Sequence, residues 1–196
     1  IVPGQNHNGL LKAKNNKTTM SGDEILSHLM VNPNPTTTLN FKNTPPTETV
    51  IGTSTYDLQS NAAVQNRIIV HDNGTMSAAW TMSVAYNTSY TDRGTGYNYF
   101  DGTTWGGSPS IRLEASRGGW PSIIALGNGG ECAITHNTDN SLINNTSRAY
   151  VGTGAWTENT VTPDYLIWNR SAAGGIDGNT IHMVALTEPS GGTWTG

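Results

Sequence analysis

From residue 65 onward the chain returns repeatedly to one pattern: an apolar alternating run, an Asn/Asp-Gly turn, then a second apolar run. Arg67-Ile68-Ile69-Val70 leads into Asp72-Asn73-Gly74 and on to Thr75–Trp80. Pro121–Leu126 leads into Asn128-Gly129-Gly130 and on to Glu131–His136. Ala172-Ala173 leads into Asp177-Gly178-Asn179 and on to Thr180–Leu186. Runs of this length bounded by such turns predict antiparallel hairpins, with Gly and Asn accepting the positive φ of primed turns. The turn glycines Gly74, Gly129 and Gly178 recur with a period of about 50 residues. A second marker keeps the same beat: Tyr99–Trp105 matches Tyr150–Trp156 in outline. Two markers sharing that period predict four-stranded units of the β-propeller blade type, each with one hairpin followed by another that ends in Trp. The repeat places Trp105 and Trp156 in the core. A β-sandwich with turns at chance spacing is the alternative.

The first 48 residues differ in character. All lysines (Lys12, Lys14, Lys17, Lys42) lie there, and every arginine comes later. Ser21-Gly22-Asp23-Glu24 has capping-box spacing ahead of Ile25, Leu26, Leu29 and Met30, which predicts one short helix ended by Asn32-Pro33-Asn34-Pro35. The expected organisation is a leader or linker over 1–48 and two to three blades over 49–196, with a boundary in 44–50. Propellers ordinarily close with at least four blades. The expectation is therefore an incomplete propeller, its missing blades supplied by the rest of a longer chain or by another copy.

Composition narrows the chemistry. Only 12% of residues are charged and 35% are hydrophobic, which suits short strands and turns better than long helices. A net charge of −4 disfavours nucleic acid as a partner, since phosphate binding needs a concentrated basic face. No stretch is long and apolar enough for a membrane span. The lone Cys132, in Gly130-Glu131-Cys132-Ala133-Ile134, reads as a buried strand residue. His7, His28, His71, His136 and His182 show no paired ligand spacing, so no metal is expected, and His71-Asp72 reads as turn chemistry. Nucleophile-elbow, phosphate-loop and dinucleotide fingerprints are absent, and no cofactor is expected.

Two resemblances attach to these residues. Arg67-Ile68-Ile69-Val70 with Asp72–Trp80 resembles the opening of sialidase-type propellers, with Ile69 where that family has Pro. Gly102 and Trp105 keep the spacing of that family's Asp-box turn, whereas Asn98 and Phe100 stand at its Ser and Asp positions. The resemblance implies that Arg67 binds a substrate carboxylate, and that a Tyr–Glu pair supplied by later blades would act as nucleophile and activator. The run Thr47–Asn61, then Asn66-Arg67-Ile68 and Asp92–Phe100, is similar to large secreted proteins of Bacteroidetes-type bacteria, many resembling type IX secretion cargo. That implies an extracellular or surface location and passing contact with secretion components.

The candidate site residues are Arg67, Asp92, Arg93, Arg117 and Trp120. Arginine suits bidentate recognition of carboxylates, and Trp120 after Arg117-Gly118-Gly119 suits stacking on a sugar face. Each also has a structural reading, as a salt bridge, a turn brace or a packing residue. The expected function is a secreted domain that binds glycan or protein without catalysis. The alternatives are the first half of a sialidase-like glycosidase and a structural spacer.

Overall fold

The computed structural model describes residues 47–60, 65–139, 142–161 and 166–187. All but Thr47 belong to the second of the chain's two units, 48–196. The helix expected over 21–30 lies outside the described residues.

The described part is all-β and antiparallel. β1 (Ile68–Val70), β2 (Met76–Met82) and β3 (Gly94–Phe100) form one sheet in chain order. β4 (Gly118–Ala125), β5 (Glu131–Asn137), β6 (Leu142–Arg148) and β7 (Thr157–Val161) form a second. β8 (Leu166–Gly174) and β9 (Thr180–Thr187) pair as a third. Among the described residues there is no helix, and none long and apolar enough to cross a membrane.

The second sheet is the middle layer: β4 packs on β2 on one side and on β8 on the other. Neighbouring strand residues point to opposite faces, so adjacent isoleucines serve different layers. Ile123 joins Ala79 and Ala133, with Ile69, Tyr97, Leu113 and Trp156 packed around them. Ile124 joins Cys132, Ile134 and Ile143, with Leu166, Ile181 and Met183 arriving from the third sheet.

The three Asn/Asp-Gly turns lie together at one end of the strands, the turn end. Gly74, Gly129 and Gly178 have φ of 81°, 86° and 70°, while Asn73, Asn128 and Asp177 are not among the residues with positive φ. The amides of Gly74 and Gly129 donate to His71 O and Leu126 O, each at the fourth turn position. These two are type I turns closed by a left-handed glycine, not the primed turns expected, because neither central residue of either turn takes a positive φ. The second and third turns touch directly. Gly127 N donates to Gly178 O at 3.1 Å, and a Cβ on Gly127 would stand 1.8 Å from Asp177 O.

Two further departures concern the repeat. The first sheet has three strands instead of four; after Phe100 the chain makes only an isolated bridge to Trp105. Both marker tryptophans are half-buried instead of fully enclosed. Trp105 rests on Phe100, whereas Trp156 packs against Tyr97 and the Ile123 cluster. Another recurrence appears in the backbone. β4 and β8 each carry a register shift, between Gly119 and Ser122 and between Ile167 and Arg170. Each shift holds a tryptophan in the left-handed region, Trp120 at φ 52° and Trp168 at φ 50°. Such a conformation costs a bulky residue on the order of 1–3 kcal/mol, so the surroundings must hold it.

Candidate functional site

Four of the five candidate residues meet at the end opposite the turns, the loop end, where β2 finishes and β3 and β4 begin. Asp92 closes the 83–92 loop: its carboxylate accepts from Ser83 Oγ, from Val84 N at 2.7 Å and from Ala85 N at 2.9 Å. Burial raises its pKa, but these hydrogen bonds outweigh it and hold Asp92 below its ordinary 3.8. Arg93 is buried, with Nε donating to Gly118 O at 2.8 Å. Its guanidinium lies 4.6 Å from the Trp120 ring centre and 5.0 Å from that of Tyr56. Burial, with Arg117 nearby, lowers its pKa. Arg117 braces the same loop, donating to Tyr90 O, Ser89 O and Thr138 Oγ1.

Trp120, on β4 of the second sheet, has its ring against Arg93 and His136. Its backbone N–H donates to Thr81 Oγ1 at 2.9 Å, and its ring stacks on His136 at 5.8 Å. It is 5% exposed, so it is not a ready platform for a sugar. An exposed aromatic at this end is Tyr86, at 86%. From it a row of ring contacts runs inward: Tyr86 to Tyr90 at 6.4 Å, Tyr90 to Tyr56 at 5.0 Å, Tyr56 to Trp120 at 6.1 Å.

A cavity of about 460 Å³ opens in the same region, lined by Val84, Thr91, Asp92, Ser110, Ile111, Arg112, Glu114 and Ala115. Arg112 is engaged by carbonyls, including Thr91 O at 2.9 Å and Arg93 O at 3.1 Å. Glu114 is 3% exposed and accepts from Thr95 N at 2.8 Å and from Thr95 Oγ1. Burial pushes its carboxyl above the ordinary 4.5, and the Thr95 hydrogen bonds offset only part of that. The folded chain therefore holds a proton that the unfolded chain releases, and folding stability falls as pH rises above about 4.5 until the folded carboxyl ionises too. Glu114→Gln removes this dependence, so its stability relative to the parent rises with pH, with a slope of at most about 1.4 kcal/mol per pH unit. Urea midpoints between pH 4 and 8 measure it; parallel profiles for the two proteins would refute the assignment.

No family model, curated protein or solved structure matches the chain.

Arg67 stands apart from the other four. It donates to Gln59 O and to Gln65 Oε1, and Gln59 in turn bonds the backbone of Thr81 through both amide atoms. Burial and the charge of Arg170, from the third sheet, lower its pKa to about 10. Among the described residues no set of three potential metal ligands gathers. Cys132 is buried, and burial with Glu131 beside it pushes its thiol up to about 12.

The strongest polar cluster lies where no candidate was placed. Glu131, on β5, is fully buried and paired with Arg148. Ser77 Oγ and Tyr97 OH, from the first sheet, donate to its two oxygens at 2.7 and 2.9 Å. Arg148 lies over the rings of Trp156 and Tyr97, at 4.3 and 4.7 Å. Glu131 stands where a repeat unit simply starts its second strand. The signal available was an acidic residue opening a strand whose next three residues are apolar.

Proposed function

We propose that this chain is a secreted or cell-surface domain of successive propeller-type blades whose loop end binds glycan. The carrying observation is the row of rings opening to solvent at Tyr86 beside the cavity formed by Val84, Asp92, Ser110 and Ile111. Saccharides are held by an aromatic face together with a few fixed polar groups, and this end supplies both. Val84 and Ile111, exposed at 56% and 77%, extend the apolar rim. The blade reading is supported by the chain-order sheets, by the contact between the second and third turns, and by the matching tryptophan bulges. Export as type IX cargo rests on the resemblance of residues 45–190 to secreted proteins.

An array of immobilised neutral and sialylated glycans tests the reading. Tyr86→Ala is expected to weaken binding about tenfold, and the exposure of Tyr86 leaves folding intact. Binding unchanged by that substitution, or no glycan bound, would overturn it; capture by protein ligands alone would move the function to protein recognition.

One observation favours a second reading, a sialidase-like glycosidase: Arg67 lies close enough to Arg170 for their charges to interact, as a carboxylate clamp requires. The Tyr97–Glu131 pair is not the nucleophile pair of that reading, which later blades would supply: it is sealed between sheets, and burial with Glu131 alongside raises the Tyr97 hydroxyl well above its ordinary range. Hydrolysis of a fluorogenic sialoside, lost in Arg67→Ala, would favour this second reading.

A further inference from the structure

At the turn end, a cleft of about 420 Å³ runs between the 71–75 turn and the 149–153 turn. Its lining is His71, Asp72, Asn73, Thr75, Tyr99, Gly129, Tyr150 and Val151. Both of its walls are fixed by one buried carboxylate. Glu131 Oε2 accepts from Ser77 Oγ at 2.7 Å, and Ser77 Oγ is 3.1 Å from His71 Nε2. Glu131 Oε1 accepts from Gly152 N at 2.9 Å, which pins the turn carrying Tyr150. Gly152, at φ 76°, also lets the Tyr99 ring close on it: a Cβ there would stand 2.4 Å from the ring. The 149–153 turn is tied to its neighbour by Val151 N donating to Gly129 O at 3.0 Å.

The hydrogen bonds around Ser77 give His71 Nε2 the role of donor. Glu131 is paired with Arg148, so its oxygens only accept. The Tyr97 hydroxyl proton goes to Oε1 and the single Ser77 hydroxyl proton goes to Oε2. Ser77 Oγ therefore has only lone pairs to offer His71, and Nε2 must carry a hydrogen. In the neutral ring that leaves Nδ1 as an acceptor.

A buried ion pair is weak evidence for stability, since desolvation offsets most of its attraction. Holding two walls of a cleft in register is a reason to retain one. We propose that this cleft is a second saccharide site, distinct from the loop end, taking neutral, hydroxyl-rich sugars. Tyr150, 67% exposed, and Tyr99 supply ring faces, and His71 Nδ1 and Asn73 supply polar contacts. Asp72 is the charged side chain of the lining, and neither Lys nor Arg contributes, so acidic sugars are disfavoured.

The experiment is an NMR titration of the full chain with neutral gluco-, manno- and galacto-configured oligosaccharides, with a sialylated oligosaccharide in parallel. Expected are shifts at His71, Tyr99 and Tyr150 with at least one neutral probe, weakened about tenfold or more in Tyr150→Ala and retained in Tyr86→Ala. That retention separates this site from the loop-end reading, which fails or stands on Tyr86 alone. Nitrogen shifts of the His71 ring should show Nε2 protonated with the sugar bound, and Ser77→Ala should release that preference while weakening the sugar. No shifts in the cleft with any neutral probe, equal shifts in Tyr150→Ala, stronger binding of the sialylated probe, or Nδ1 as the protonated nitrogen would each overturn the proposal.

Discussion

Arg148→Ala is expected to destabilise the domain by about 3–5 kcal/mol, because it strands a carboxylate that has no route to water. Glu131 is fully buried and the Arg148 side chain only 6% exposed. The guanidinium donates from both Nε and Nη2 to Glu131 Oε1 and also reaches Tyr97 OH at 2.6 Å. Its removal leaves the Ser77, Tyr97 and Gly152 donors around a charge whose counterion is gone. In a domain of this size the loss amounts to a melting temperature lower by roughly 6–20 °C. Urea unfolding of the parent, R148A and E131Q/R148M measures it. The double substitution removes both charges, keeps an amide oxygen for the donors around Glu131, and is expected to recover most of the loss, since no buried charge is left without its partner. A penalty for R148A under about 1 kcal/mol would mean that water reaches Glu131, contrary to its burial.

Ile134→Ala is expected to cost about 2–5 kcal/mol, through lost burial and the cavity left behind. Ile134 is 2% exposed and packs with Ile124, Cys132 and Ile143, the face on which the third sheet rests through Leu166, Ile181 and Met183. The site has little freedom to collapse, because polar bonds fix the same contact. Asn169 Nδ2 donates to the carbonyl of Ile134 itself at 2.9 Å, and Gly127 N to Gly178 O. Ile176, fully exposed in the third turn, is the control and should cost less than about 0.5 kcal/mol as alanine. Chemical denaturation of both variants decides it. Similar costs for I134A and I176A would refute the packing of the third sheet on the second.

Much of the strand architecture was legible because it is local. Ile68–Val70, Met76–Met82, Glu131–Asn137 and Thr180–Thr187 fall on the apolar runs beside their Asn/Asp-Gly turns. β6, Leu-Ile-Asn-Asn-Thr-Ser-Arg, carries no such pattern. Its Asn144 is fully buried because Ser116 and Glu158, remote in the chain, each meet its amide nitrogen at 2.6 Å. A polar strand inside a sheet is visible only once its partners are in place. The candidate site divides the same way. The pattern singled out Arg93, Arg117 and Trp120 as chemistry-bearing types, and the structure gathers them at the loop end. It also shows Trp120 buried and Tyr86 exposed, an inversion that residue type alone does not contain.

The repeating pattern by itself determined that the described part from residue 65 onward is all-β, that its hairpins turn at Gly74, Gly129 and Gly178, and that Cys132 lies inside. Those properties follow from alternation and from left-handed glycine, which act over a few residues. Tertiary structure alone decided that Glu131 joins Ser77, Tyr97, Arg148 and Gly152, that Arg67 bonds Gln59 and Gln65 away from Arg93, and that two tryptophans take left-handed bulges. Each depends on which sheet face meets which, and that is set by burial summed over remote residues rather than by any local preference.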